Sequence, residues 1–162
     1  MFKRFWKGPR WAEPEFTDGV VDLVPIQLVQ PEKAMGFGQV YDYVIAPSGQ
    51  CREAGRISLR MGESPCVYYF GHIGYHVDPP FRGQHFAARA CELLKPLIAV
   101  AGKSSVVITC DPDNAPSRRT CERIGAVLER EVDVPEEIYD RWEISARKLR
   151  YVWRVDARLP EL

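Results

Sequence analysis

The chain has 162 residues, 46% hydrophobic and 27% charged, a balance that suits one globular domain spanning 1–162 with one core. The formal net charge of +0 argues against a general nucleic-acid binder, and no apolar run reaches the roughly 18 residues a bilayer span needs. The five cysteines are odd in number, widely spaced and without a C-x-x-C pair, which argues against a disulfide framework or a zinc site and for reduced thiols in a cytoplasmic protein.

The first 16 residues are basic and aromatic without a continuous apolar core, so they do not read as a secretory signal. Residues 20–31 are β-branched and apolar and predict a first strand; residues 31–38 predict a short helical turn. Residues 39–47 alternate and end in the turn signal Pro-Ser-Gly-Gln. A second run follows at hairpin distance over 51–62, with Ala54, Ile57 and Leu59 as its apolar members, and a third, rich in Tyr and Val, over 66–79. Together they predict an antiparallel meander.

The period then changes. Between Gln84 and Gly102 the apolar residues Phe86, Ala87, Ala90, Leu93, Leu94, Leu97, Ile98 and Ala101 fall at helical spacing. Pro96 lies inside that run and should bend it, because proline removes a backbone donor. Residues 105–110 predict a short buried strand. Residues 111–125 predict a helix capped by Asp113 or Asn114, with Pro116 in the first turn and Gly125 at the end. Residues 126–135 alternate, 136–148 are ambiguous between helix and strand, and 149–155 predict a last strand. The order implies an α/β (α+β mixed) domain around one central sheet.

The stretch Tyr-His-Val-Asp-Pro-Pro-Phe-Arg-Gly-Gln-His-Phe from Tyr75 places an Arg-Gly pair at a strand-to-helix corner. A helix N-terminus offers unpaired N–H groups and partial positive charge, and a glycine-containing loop lets the backbone approach an anion, so this corner suits a phosphate. Neither the Walker A nor the Rossmann glycine pattern occurs in the chain.

From Gly71 to about Pro135 the chain resembles the GNAT superfamily of N-acetyltransferases, and within it a group of uncharacterised acetyltransferases. The resemblance rests on two ordered blocks. One is a strand ending Val77-Asp78-Pro79 followed by the loop Arg82-Gly83-Gln84-His85-Phe86-Ala87; the other is Ile-Thr-Cys-Asp-Pro-Asp-Asn before a helix, with Asn114, Ser117 and Gly125 at family spacing. It implies a mostly antiparallel sheet splayed at the cofactor site, acetyl-coenzyme A as donor, and Val77, Asp78, Arg82, Gly83, Gln84, His85, Phe86, Ala87 and Asn114 at the cofactor. The sequence departs from the family at two points: the central loop glycine is His85, and the tyrosine often found one turn after the serine is Cys121.

Acetyl transfer to an amine requires loss of an amine proton and polarisation of the thioester carbonyl. A primary amine has a pKa of about 10.4, so a base or water relay is useful. His72, where relatives often carry Glu, is the candidate base; the ordinary alternative is a hydrogen-bonded residue of the sheet. Ser117 is a candidate partner of the departing sulfur or an early helix residue bonding backbone. Cys121 is a candidate acid or a small buried residue. Asn114 can contact the pantetheine arm, cap the helix, or do both. Arg118, Arg119 and Arg123 can attract phosphates or form a solvated face. His72 and His76 lie roughly 13 Å apart on a strand rising about 3.3 Å per residue, too far to share a metal. Residues 141–155 mix Trp142, Tyr151 and Trp153 with five basic residues, which suits a strand, an acceptor wall or the edge of a homodimer. The expected activity is direct transfer to a primary amine of a small molecule or peptide. The alternative is a sensing or interaction module that binds coenzyme A without transfer chemistry.

Overall fold

The structure, a computed structural model, describes residues 12–26 and 36–155. Eight strands form one sheet in the order β1-β2-β3-β4-β5-β6-β8-β7. The first five are β1 (Phe16–Thr17), β2 (Val21–Pro25), β3 (Val40–Pro47), β4 (Gly55–Arg60) and β5 (Ile73–Val77), and they form the expected antiparallel meander. β6 (Ser105–Cys110) lies parallel to β5; β8 (Arg147–Arg154) pairs antiparallel with both β6 and β7 (Val127–Asp133). The strand predicted over 20–31 is β2; its part beyond Ile26, and residues 31–35 of the predicted helical turn, lie outside the described residues.

The core follows the two periodicities. In β4, Gly55, Ile57 and Leu59 turn inward and the residues between them turn outward. Leu23, Ile45, Ile57, Leu59, Ile73 and Ile108 from the sheet meet Leu94 and Ile98 from the helices, all essentially inaccessible. Each such side chain contributes roughly 1.5–3 kcal/mol by leaving water.

Two local expectations are corrected. Residues 66–79 are not one extended run: α1 (Pro65–Phe70) comes first, and the strand starts at Ile73. Ser64 caps α1 by accepting the Val67 N–H, and Pro65 stands in the first turn, where a missing donor costs nothing. Gly71, at φ 78°, then reverses the chain. Cap and exit thus override the β preference of Val67, Tyr68 and Tyr69. The helix predicted over 84–102 is two pieces, α2 (Phe86–Leu93) and α3 (Lys95–Val100), broken at Leu94 with Pro96 in the first turn of α3. Proline therefore starts a new helix here instead of bending a continuous one.

α4 (Ala115–Arg123) is capped by Asn114, whose Oδ1 accepts the Ser117 N–H at 3.1 Å. The ambiguous stretch is helical as α5 (Glu136–Trp142), then turns through Glu143 at φ 51° into β8. Tyr151 and Trp153 of β8 are buried in the core, so neither forms a surface wall. Among the described residues no helix is long and apolar enough to cross a membrane.

Candidate active site

β5 and β6 pair at a single register position, Ile73 with Ile108. Just before it, the His72 N–H donates to the Val107 carbonyl at 2.7 Å, and the Val107 N–H donates to His72 Nδ1 at 2.9 Å. Beyond it, β5 pairs only with β4 and β6 only with β8, so the two strands diverge. The His72 carbonyl accepts from Arg60 and the Asp78 N–H donates to Ala54, which fixes the even-numbered positions as those bonded to β4. Antiparallel alternation then leaves the backbone groups of Ile73, Tyr75 and Val77 facing the gap.

At the end of β5 a 3-10 turn (Pro79–Phe81) leads into the loop. Arg82 Nε donates to the Val77 carbonyl at 2.9 Å and ties the loop to the strand end. Gly83 sits at φ 80°, and His85 takes a left-handed conformation at φ 61°, ψ 25° immediately before α2. The first helical bond runs from Arg89 N–H to the His85 carbonyl. Among the described residues, the amides of 83–88 have no protein acceptor. The corner thus presents several free donors and the positive end of an eight-residue helix.

A cavity of about 940 Å³ opens beside this corner, lined by β5, the loop and α4. Of the residues expected from sequence, Val77, Arg82, Gly83, His85, Phe86, Ala87, Asn114 and Ser117 line it. Asp78 and Gln84, from the same segment, do not; Asp78 opens the 3-10 turn, its backbone carbonyl accepting the Phe81 N–H. Arg119 and Arg123 add positive charge to the wall, while Arg118 turns to the Pro112 carbonyl. A smaller cavity of about 160 Å³ lies where β5 and β6 separate, bounded by Ile73, Gly74, Cys110, Asp111 and Lys148 among others. Tyr75, Asn114 and Ser117 line both cavities.

Tyr75 is the site residue that sequence reasoning missed. Its hydroxyl lies 2.9 Å from Ser117 Oγ and 3.3 Å from the Ser117 carbonyl, across the gap from β5 to α4. Cys121 Sγ lies 3.9 Å from the same hydroxyl and is fully buried behind it. Burial, with Cys121 and Cys91 nearby, pushes the Tyr75 pKa well above the ordinary phenol value, so the hydroxyl keeps its proton. Burial likewise pushes the Cys121 thiol up to about 12 and raises Cys110, so both remain thiols.

His72 lines neither cavity. With Nδ1 accepting from Val107, its proton resides on Nε2, 3.0 Å from Glu63 Oε1. Lys103 shares that carboxylate. Burial lowers the imidazole pKa, and Glu63 opposes the shift only in part.

Free amides, arginines on the wall and a large cavity that shares Tyr75, Asn114 and Ser117 with the smaller one at the strand gap together fit an elongated phosphate-bearing ligand such as coenzyme A. Residues 3–127 match the acetyltransferase (GNAT) domain family. The fold is shared with solved structures. RimL, a ribosomal L7/L12 alpha-N-protein acetyltransferase, is 24% identical with a TM-score of 0.53, over 72% of this chain and 70% of its own. The Microcin C7 self immunity acetyltransferase MccE, in complex with acetyl-CoA and AMP, is 23% identical with a TM-score of 0.55, over 72% and 61%. A Salmonella typhimurium acetyl transferase that modifies the N-terminal serine of ribosomal protein L7/L12 is 25% identical with a TM-score of 0.56, over 74% and 66%. The chain therefore spans between about three fifths and seven tenths of the length of these proteins. A comparison with curated protein sequences gave no match. By the match over most of its length, its splayed sheet and its loop, the chain belongs to the GNAT family of acetyltransferases.

Proposed function

We propose that this protein transfers acetyl from acetyl-coenzyme A to a primary amine by direct attack in a ternary complex. The observation that carries the reading is the row of free amides over 83–88, whose residues other than Gln84 line the large cavity. These amides, Arg119 and Arg123 would hold the pyrophosphate. The gap-facing backbone groups of Tyr75 and Val77, with Asn114, would hold the pantetheine arm. Bound acetyl-coenzyme A supplies the activated acetyl group and a thiol leaving group of ordinary pKa about 8.5.

The chain's own residues orient and shield. β5 and α4 flank the waist where the two cavities share residues, and Ser117 presents a hydroxyl there. His72 fastens β5 to β6 at the root of the gap and so acts as a positioning residue; with both nitrogens engaged, we assign the amine proton to water. Cys121, a fully buried thiol, packs behind the waist.

The family and its neighbours, whose names include both a modifier of a protein N-terminal serine and a self-immunity enzyme, support the choice of acceptor class. We read the acceptor as a peptide N-terminus or a small-molecule amine, in a cytoplasmic setting. The described residues share one sheet, which supports one domain, and the exposed edge strand β7, with Val127 and Leu128 outward, is the surface on which a homodimer would form. The test is incubation with acetyl-coenzyme A and a panel of amines and N-terminal peptides, read by mass spectrometry. Acetylation of any panel class with release of free coenzyme A supports the reading. Tight coenzyme A binding without transfer to any class favours the sensing alternative.

A further inference from the structure

We infer that the Tyr75 hydroxyl, seated against Ser117 at the waist between the two cavities, is a catalytic hydrogen-bond donor to the sulfur of coenzyme A. The inference rests on the proposed use of acetyl-coenzyme A and names a residue that the family pattern does not supply.

The waist is where the sulfur must pass. The large cavity carries the phosphate-binding corner, and the small one lies at the root of the strand gap. A ligand anchored at the corner and reacting at the root crosses between them, beside the side chains of Tyr75, Asn114 and Ser117, which line both. Asn114 is held in place by capping α4 through its Oδ1, which leaves its amide N–H groups to the pantetheine arm. The two hydroxyls, 2.9 Å apart, bond each other and can re-aim to the sulfur. Tyr75 reaches from β5 to α4, where its hydroxyl lies 3.9 Å from the small Cys121.

The surroundings favour a donor over an acid. Cys91, Cys110 and Cys121 are buried near the hydroxyls, and none is ionised. Among the described residues, no cation stands among the hydrogen-bond partners of Tyr75. A thiolate formed here gains little from water, so a fixed O–H donor is worth more than at an exposed site. Tyr75 holds its proton more tightly than a thiol does, so it donates a hydrogen bond without transferring the proton. In the transfer, the N–C bond forms from the amine lone pair and the C–S bond breaks with its electron pair kept on sulfur. The amine proton leaves to water, and the thiolate stays hydrogen-bonded to Tyr75 until solvent protonates it.

The test is a titration of the thiol of bound coenzyme A, followed by thiolate ultraviolet absorbance, in the parent, Tyr75→Phe and Ser117→Ala. Desulfo-coenzyme A affinity and the circular dichroism of each variant serve as controls. In the parent, the bound thiol should titrate below its free value of about 8.5. Tyr75→Phe should raise it by about one to two pH units, the equivalent of one hydrogen bond to a charged acceptor. The same variant should bind desulfo-coenzyme A as the parent does, and lower kcat by roughly 10–100-fold with KM for acetyl-coenzyme A unchanged. A bound thiol that titrates at or above its free value in the parent overturns the inference, whether or not the variant folds. A shift produced by Ser117→Ala but not by Tyr75→Phe also overturns it and assigns the role to Ser117 alone. If the parent binds no coenzyme A, the proposed function fails first, and the inference fails with it.

Discussion

His72 accepts the backbone N–H of Val107 on Nδ1 at 2.9 Å, beside the last point at which β5 and β6 still pair. Its Nε2–H faces Glu63, so neither nitrogen offers a lone pair to an acceptor amine. Glutamine carries one acceptor and one donor on a side chain of similar reach and can replace both bonds. His72→Gln should therefore lower turnover less than about ten-fold, whereas loss of a general base costs roughly 10²–10⁴-fold. His72→Leu, which can make neither bond, should lower both turnover and melting temperature. A large loss in His72→Gln that shrinks as pH rises would restore histidine as the base.

The same residue predicts how stability depends on pH. Burial holds the folded-state pKa of His72 below its ordinary 6.5. The unfolded chain binds that proton more readily, so the stabilisation is complete above about pH 6.5 and is lost as pH falls through the lower folded value. Glu63, lowered first by the Lys103 hydrogen bond, acts in the same sense below its ordinary 4.5. Calorimetric melting temperatures measured from about pH 6.5 downward should fall less steeply for His72→Gln than for the parent. Identical slopes would remove His72 from the acid response.

Gly83 holds φ 80°, which proline, locked near −65°, does not reach. Gly83→Pro also deletes one free amide of the corner. A left-handed mismatch of about 1–2 kcal/mol and the loss of a bond to a charged group, about 1.5–3 kcal/mol, together predict roughly 100-fold weaker coenzyme A binding or worse. Isothermal titration of the folded variant checks this, and parental affinity would show that the loop does not cradle the pyrophosphate.

His85 adopts the left-handed conformation that glycine tolerates best, without a side-chain capping bond. The strain of about 1–3 kcal/mol is partly offset by the entropy that glycine loses on folding, about 0.5–1 kcal/mol. His85→Gly should thus be as stable as the parent or up to about 2 kcal/mol more stable, with coenzyme A affinity kept. Thermal unfolding and titration calorimetry decide it. A destabilised variant that also loses affinity would give the imidazole itself a binding role.

The fold was legible where local chemistry spoke plainly. The strand runs with period two, the helical stripe from Phe86 and the Asn114–Pro116–Gly125 punctuation of α4 each mark an element that forms. The short helix α1 was hidden because Val67, Tyr68, Tyr69 and Phe70 prefer strands. What overrides them is the Ser64–Pro65 start and the Gly71 exit, signals that act on the backbone and leave no periodicity. The phosphate corner was readable for the same reason, since glycine and proline punctuate it. Tyr75 was not, because its partner Ser117 lies 42 residues away and meets it only through the packing of α4 against the diverging strands. The engagement of His72 was equally hidden, since it depends on the Val107 backbone, 35 residues on.

The central claim is that the free amides of residues 83–88 bind the pyrophosphate of coenzyme A. Amide chemical-shift mapping of the ¹⁵N-labelled protein during titration with coenzyme A tests it most directly. The account predicts that the largest shifts fall on Gly83 to Ala88, and that 3′-dephospho-coenzyme A, which retains the pyrophosphate, produces the same pattern there. Binding of coenzyme A that leaves those amides unmoved, or no binding at all, would contradict it.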